Sequence, residues 1–557
     1  MMLKRLWFLM LGLCAALHVQ AATDARPNIV VLVADDWGFT DVGAFGGEIA
    51  TPHLDALARS GVRFSNFHVA ASCSPTRSML LTGVDNHRNG HGNLRETMPG
   101  EHLGQPGYLG SLVPNVVTLG TLLQAGGYRT YIAGKWNVGN EPHNLPNRRG
   151  FDRSFIMGDT GSDNWEPEKR YLPHSARVNW FEDGKPPVMP KEFFSSTFFV
   201  DKTIDYIRSG AASGKPFFAY VGFQANHVPV QAPQAFIDKY KGRYDAGWTA
   251  LRESRRNKAA ELGLIPKDTA VVTMATTGDW AALSAKDRQY QARLMEVYAA
   301  MAESLDHEVG RLIAYLKSTG EYDNTVFVFL SDNGPEGSDY KEADLWLRFN
   351  YSRDLERLGG KGAYVVPGPS WSSASASPLD TFKFYSGEGG IRSPMIISGV
   401  AGAAHNQIHD GLTHVTDILP TLLDVAQVAR PGASYQGQPI EAPTGHSLLG
   451  ASYQGQPIEA PTGHSLLPVL ANPAMRVRAA DEPLGYELSG NKALFKGDLK
   501  IALNNPPIGD GQWHLYDLRA DPGETSDLQK QRPQEFAAMQ AAYAAWAKAN
   551  GVLPMPE

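Results

Sequence analysis

Four short runs of apolar, largely β-branched or aromatic residues punctuate the chain, and each ends on polar side chains. NIVVLVADD (28–36) runs into Asp35 and Asp36, YRTYIAGKW (128–136) into Lys135, KPFFAYVGFQANH (215–227) into His227, and NTVFVFLSDNG (324–334) into Asp332 and Asn333. Runs of this length without alternation predict strands buried on both faces. Helical spacing lies between them. Thr118–Ala125 precedes a Gly126-Gly127 stop, and Asp287–Thr319 ends at Gly320. Strands alternating with helices predict an α/β fold, with a large, mostly parallel sheet sandwiched by helices. In such sheets ligands bind beyond the carboxyl ends of the strands, so the polar residues of all four runs are expected on one rim.

From about residue 468 the pattern changes. ALFKGDLKIALNN and GQWHLYDL predict antiparallel strands, RADPGETSDL a turn-rich link, and Pro533–Asn550 a closing helix. The expected organisation is a catalytic domain over 27–467 and a smaller C-terminal α+β subdomain, antiparallel sheet plus helix, over 468–557. Within the first unit, residues 432–449 (GASYQGQPIEAPTGHSLL) recur unchanged as 450–467. Two copies do not make a solenoid. Their Gly, Pro and polar content predicts a surface loop in which one copy packs and the other bulges out.

The start of the chain adds a location. Lys4 and Arg5 precede an apolar run from Leu6 to Leu17, and Val19-Gln20-Ala21 offers a small-residue cleavage site. This predicts a signal peptide over 1–21 and an exported protein, periplasmic or secreted, with no membrane attachment after cleavage. A formal net charge of −7 argues against nucleic acid as a partner. Export normally favours disulfides, yet the chain has two cysteines and one of them, Cys14, lies in the leader. Cys73 therefore has no internal partner in the mature chain and is either an inert buried residue or chemistry. In CSPTRSMLLTG, Pro75 suits a first helical turn and Gly83 a stop, which puts Cys73 at a helix N-terminus that favours an anion. A thiolate nucleophile paired with a histidine is one reading of that placement.

Asp35, Asp36, Asp332 and Asn333 are hard oxygen donors. Any one of them is ordinarily a turn or capping residue. Adjacent carboxylates at a buried strand tip, repeated at a second tip, need a positive neighbour. Three carboxylates and an amide without Cys or His suit Ca²⁺ or Mg²⁺ better than zinc.

Cys73-x-Pro75-x-Arg77 followed by SMLLTG resembles the signature of the type I, formylglycine-dependent sulfatases of the alkaline phosphatase superfamily. The likeness extends from Pro27 to about Val552 and is greatest to bacterial arylsulfatases, whose YxGxYDxGW segment is matched by YKGRYDAGWTALRESRR (240–256). The DD, GKW, NHxP, SDNG and EGGIR stretches follow in family order. The resemblance implies that a maturation enzyme oxidises Cys73 to Cα-formylglycine, whose hydrate attacks sulfur. It implies Asp35, Asp36, Asp332 and Asn333 as ligands of one Ca²⁺, with the modified Cys73 beside the ion. It also implies that Arg77 holds the hydrated aldehyde, that Lys135 and Lys383 bind sulfate, and that His227 lies near the leaving-group oxygen. The expected substrate is a small-molecule sulfate ester, aryl or otherwise, with its organic half recognised by loops such as 159–195 and 335–380.

One position departs from the family. GKWHxG is replaced by GKWNVG, so Asn137 stands where a histidine is expected to take a proton in the second half of the reaction. An amide cannot accept that proton at neutral pH. His87 or His91, just past the nucleophile helix, are the available substitutes. Two alternatives stay open: a phosphonate monoester or phosphodiester hydrolase of the same superfamily, and a pseudoenzyme that binds sulfate esters with little turnover.

Overall fold

The computed structural model describes residues 26–173, 178–430 and 461–556, together with the backbone pairing of two short hairpins inside 434–457. The leader, Cys14 and most of the duplicated segment lie outside the described residues.

Strands β1 (Asn28–Ala34), β2 (Gly61–Phe64), β3 (Arg129–Lys135), β4 (Arg153–Met157), β5 (Trp180–Glu182), β6 (Phe217–Gly222), β7 (Thr325–Ser331), β8 (Met395–Ser398) and β9 (Gln407–His409) form one sheet. Their spatial order is β9-β2-β8-β7-β1-β6-β3-β4-β5. The five central strands, β7 to β4, are parallel; β8 and β5 join them antiparallel. β1 is buried along its whole length between β6 and β7, pairing Val31 with Tyr220 on one side and Val328 on the other. That explains its unbroken apolar run. Alternate residues feed two cores, with Val30 and Leu32 on one face and Ile29, Val31 and Val33 on the other.

Four helices matter here. α1 (Cys73–Thr82) is buried on every side and ends at Gly83, whose φ of +66° suits a residue without Cβ. α2 (Leu119–Ala125) is capped by the Thr118 side chain, and α3 (Ala285–Ser318) by Ser284, which accepts from the Asp287 N–H. α4 (Pro533–Asn550) closes the chain. No described helix is long and apolar enough to cross a membrane.

Strands β10 (Pro483–Leu488), β11 (Asn491–Lys496), β12 (Leu499–Leu503) and β13 (His514–Asp517) form an antiparallel sheet on which α4 packs. Its other face meets Ala71 and Ile391 of the large unit. The helix Leu467–Ala471, which spans the expected boundary at 467/468, contributes Val469 and Leu470 to the core of the large sheet, and the small sheet begins at Pro483. The two copies of the duplicated segment pair alike, Ser434 with Pro439 and Ser452 with Pro457. The tail of the second copy is docked. Thr462 N–H donates to Gly83 O at 2.7 Å, His464 N–H to Asp417 Oδ1 at 2.8 Å and Leu466 N–H to Thr421 Oγ1 at 2.8 Å.

Candidate active site

Because β1, β3, β6 and β7 run parallel, their carboxyl ends share one rim, and the polar residues read from sequence meet there. Backbone bonds tie the tips together: Asp332 N–H donates to Ala34 O at 3.1 Å and Asp35 N–H to Ala225 O at 2.8 Å. Asp36, at φ +63°, turns the chain away in a conformation that aspartate tolerates better than most residues. Ligand oxygens of Asp35, Asp36 and Asp332 lie within 4.8 Å of one another, all fully buried. Asn333 Nδ2 donates to Asp36 Oδ1 at 2.7 Å.

Three cations face these carboxylates. Arg77 Nε and Nη2 converge on Asp332 Oδ2, each at 2.8 Å. Lys135 Nζ donates to Asp35 Oδ2 at 2.7 Å, and Lys383 Nζ to Asp36 Oδ1 at 2.8 Å. Gly222 is required for this approach, because a Cβ there would lie 2.6 Å from Lys135 O and 3.0 Å from Arg77 Nη1. The loop carrying Lys383 is fixed by its own N–H to Pro335 O at 3.1 Å and by Phe384 N–H to Ala71 O at 2.7 Å, two residues before Cys73.

Burial and the neighbouring Asp332 push Asp35 above the ordinary carboxylate range, against the pull of Lys135. Burial acts on Asp36 too, but Lys383, His227 and Lys135 outweigh it and hold that carboxyl below its usual value. Burial also raises the Cys73 thiol in spite of both lysines. That direction disfavours the thiolate of the unmodified cysteine. The sulfur is not among the mutually close ligand atoms of the three aspartates; Lys135, Lys383, Asp332 and Asp35 are its charged neighbours. His227 Nδ1 lies 2.7 Å from Val228 O and so donates, which leaves Nε2 as the bare nitrogen. Burial and the two lysines drive its pKa well below 6.5.

Whether a metal fits is answered by unsatisfied oxygens. Asp35 Oδ1, Asp36 Oδ2 and Asn333 Oδ1 are buried and accept no hydrogen bond. Buried acceptors of this kind call for a partner, and an all-oxygen set from these four residues suits a hard divalent cation.

The remaining sequence expectations separate. His87 faces away from the rim: its ring sits between Asp85 at 3.1 Å and Glu487 at 3.2 Å, and these carboxylates, working against burial, raise it to about 9. His91 is buried beside Val138, and burial lowers it to about 4. Asn137 sits at φ +56° and nine-tenths buried, with Nδ2 donating to Thr160 Oγ1 at 3.3 Å and Oδ1 without a partner.

Sequence reasoning missed Glu336, which is buried 3.5 Å from Lys383, although its place three residues after Asn333 was a signal. It missed Tyr298, whose hydroxyl donates to Asp41 Oδ2 at 2.7 Å and also contacts Asp36 O at 3.0 Å. Arg255, the penultimate residue of the 240–256 segment, holds Asp41 at 2.5 Å and Glu48 at 2.7 Å. That segment thus braces the loop following Asp36. The open cleft beside the site is lined by Ser74, residues 95–96, Gly110, Asn137, residues 139–141 and residues 158–159, so only Asp159 comes from the loops expected to recognise the organic half.

Residues 27–428 match the family model described as Sulfatase. This chain belongs to the sulfatase family. It is 38% identical over 555 residues to an uncharacterized sulfatase of Schizosaccharomyces pombe, covering 96% of each chain. It is 34% identical over 434 residues to the arylsulfatase of Klebsiella aerogenes, covering 77% of this chain and 92% of that one. The fold is shared with Ps i-CgsB, whose crystal structure in complex with k-i-k-neocarrahexaose superposes with a TM-score of 0.64 at 21% identity, over 94% of this chain and 93% of that one. This sulfatase has the large α/β sheet and small antiparallel sheet expected of it.

Proposed function

We propose that this sulfatase hydrolyses sulfate monoesters of small organic alcohols with Cys73 matured to formylglycine and one divalent cation, Ca²⁺ or Mg²⁺, on Asp35, Asp36, Asp332 and Asn333. The observation that carries the reading is the convergence of Lys135 and Lys383 on that acidic cluster beside Cys73. With every carboxylate ionised, Asp35, Asp36, Asp332 and Glu336 outnumber Arg77, Lys135 and Lys383 by one charge. A divalent ion reverses the balance to a single positive charge, which matches the monoanion of a sulfate ester.

The formylglycine, once formed, supplies the nucleophilic oxygen, and the cation withdraws charge from the oxygens around it. The rest falls to the chain's own residues. Lys135 and Lys383 meet sulfate oxygens from buried positions, where water does not weaken the attraction. Arg77, fixed by Asp332, Lys135 O and Tyr220, keeps the Cys73 end of the site rigid. His227 neutralises the departing alcohol: with Nδ1 committed to Val228 O, Nε2 is the position that carries the proton when an anion sits between the lysines. Lys4, Arg5 and the apolar run after them support export through a cleaved leader, which places maturation before or during secretion.

Mass spectrometry of the peptide containing Cys73, from active protein made with a formylglycine-generating enzyme, tests the reading; only unmodified thiol would overturn it. Asn137 favours a second reading, since a site without the usual base is the one feature that loosens the commitment to sulfate. Matched nitrophenyl sulfate and phosphonate esters decide it: faster turnover of the phosphonate, or phenol release without free sulfate, replaces the first reading by the phosphonate hydrolase or the binding protein.

A further inference from the structure

Lys383 is carried by a loop between the helix Gly368–Ala376 and the single turn Glu388–Ile391. Two residues of that loop have left-handed backbone, Thr381 at φ +64° and Phe384 at φ +76°. Neither a β-branched nor an aromatic residue holds that conformation unless its surroundings impose it. The large unit supplies two tethers, at Pro335 O and Ala71 O. The small sheet supplies three more. Asn491 Nδ2, in β11, donates to Phe384 O at 3.0 Å. Ser386 N–H donates to Asn504 Oδ1, just past β12, and Ser386 Oγ to Lys492 O, each at 2.8 Å.

Glu388, five residues after Lys383, anchors the loop. Its carboxylate is fully buried and gathers several segments. His68 Nε2, five residues before Cys73, lies 3.0 Å from Oε2, and Arg392 Nη1 lies 3.5 Å from the same oxygen. Lys500 Nζ, from β12, donates to Oε1 at 2.9 Å. Lys500 also lies 2.8 Å from Glu524 Oε1, and Glu524 Oε2 accepts from the Glu388 N–H at 2.6 Å. The C-terminal unit therefore grips both the side chain and the backbone of Glu388. Three lysines are buried among the described residues: Lys135, Lys383 and Lys500. The first two face the aspartates of the rim, whereas the charged partners of Lys500 are Glu388 and Glu524. A buried ion pair adds little stability over apolar packing of the same volume, so what Lys500 can contribute is a fixed geometry at Glu388.

We propose that Lys500 is a positioning residue for the sulfate group: through Glu388 and Glu524 it sets the loop that carries Lys383, which makes the C-terminal sheet a working part of the site. The proposal rests on the sulfatase reading above, in which Lys383 meets sulfate oxygens. A loop displaced by about 1 Å takes the ammonium out of hydrogen-bond reach, and a misplacement of that size costs up to about 10²-fold. Asp35, Asp36, Asp332 and Asn333 follow β1 and β7 instead, so the cation site should survive loss of the clamp. Sulfate oxygens carry charge in the ester and in the transition state alike, so the loss should fall on KM more than on kcat.

The test uses the matured, metal-loaded protein and its Lys500→Met, Lys500→Arg and Asn504→Ala variants, with inorganic sulfate in calorimetry and 4-nitrophenyl sulfate in steady-state kinetics. Lys500→Met should weaken sulfate binding and raise KM by at least about tenfold, with metal stoichiometry unchanged. Lys500→Arg keeps the charge and should recover most of the loss. Asn504→Ala removes one acceptor, leaves the buried charges paired, and should cost about threefold. In a Lys383→Ala background all these changes should vanish, because a residue that acts through Lys383 has nothing left to position. A loss of equal size in that background, or sulfate affinity and KM that no variant changes, overturns the proposal. If Lys500→Met does not fold, Asn504→Ala and its double variant with Lys383→Ala give the same decision. Sulfate binding that the variants weaken, without turnover of the ester, upholds the clamp and overturns the hydrolase reading. Turnover with every variant unaffected overturns the clamp and upholds the hydrolase.

Discussion

Replacing His87 by glutamine separates a structural role from the catalytic one that its sequence position suggests. The ring is fully buried between Asp85 and Glu487, edge-on to Trp546 at 5.7 Å and Tyr108 at 5.9 Å. Glu487 lies in β10, so the imidazolium ties the end of the nucleophile helix to the small sheet. Its pKa rises from 6.5 to about 9 because the two carboxylates outweigh burial. At 1.36 kcal/mol per pH unit that difference amounts to about 3 kcal/mol. A group raised in the folded state contributes its full stabilisation below the unfolded value near 6.5 and loses it as pH climbs through about 9. His87→Gln should therefore destabilise by about 3 kcal/mol near pH 6 and by much less above about pH 9.5, where the wild-type ring is also neutral. Denaturant unfolding of both proteins across this range measures the difference. A difference that stays constant with pH would refute the charge argument and leave only packing. At neutral pH, where both proteins are folded, turnover should agree within about twofold; loss of a general base would instead lower it by about 10²–10⁴-fold.

Asp332→Ala should abolish metal binding and activity together and destabilise by about 3–5 kcal/mol, because buried Arg77 loses its closest carboxylate; metal stoichiometry by elemental mass spectrometry and unfolding midpoints check both. Asn137→His, at a φ that histidine adopts readily, should remove a pre-steady-state burst of nitrophenol and raise kcat by up to about 10²-fold, with a smaller change in kcat/KM. Stopped-flow traces without a wild-type burst and without a gain in the variant would mean that the amide is tolerated. Deleting 450–467 yields the same chain as deleting 432–449, so the surviving tail can remake the bonds to Gly83, Asp417 and Thr421. The shorter loop should change stability by less than about 1 kcal/mol and leave activity within a few-fold, as read by thermal unfolding and nitrophenyl sulfate turnover.

The central strands, the helix that begins at Cys73 and the aspartates, Lys135 and His227 at the strand tips were legible in the sequence from local information, whereas Lys383, in a loop, came only from the family resemblance. A fully buried strand must be apolar throughout, and a parallel sheet then puts every polar exit on one rim. Neither the departure at Asn137 nor the duplicated copy needed a structure to be seen. What only the tertiary structure decided are the pairings between residues far apart in the chain. His87 and His91 are alike as neighbours in the sequence, yet the fold gives one two close carboxylates that outweigh burial and the other a burial that outweighs Val138 and Glu141. Glu336, Tyr298 and Arg255 have ordinary surroundings in the sequence and acquire their partners from loops brought in by the sheet. The wall of the cleft comes from stretches far apart in the chain: Ser74, residues 95–96, Gly110, Asn137 with residues 139–141, and residues 158–159. None carries a periodic or compositional signal, because the direction in which an amide oxygen points is set by the donor or acceptor across from it and not by its neighbours along the chain.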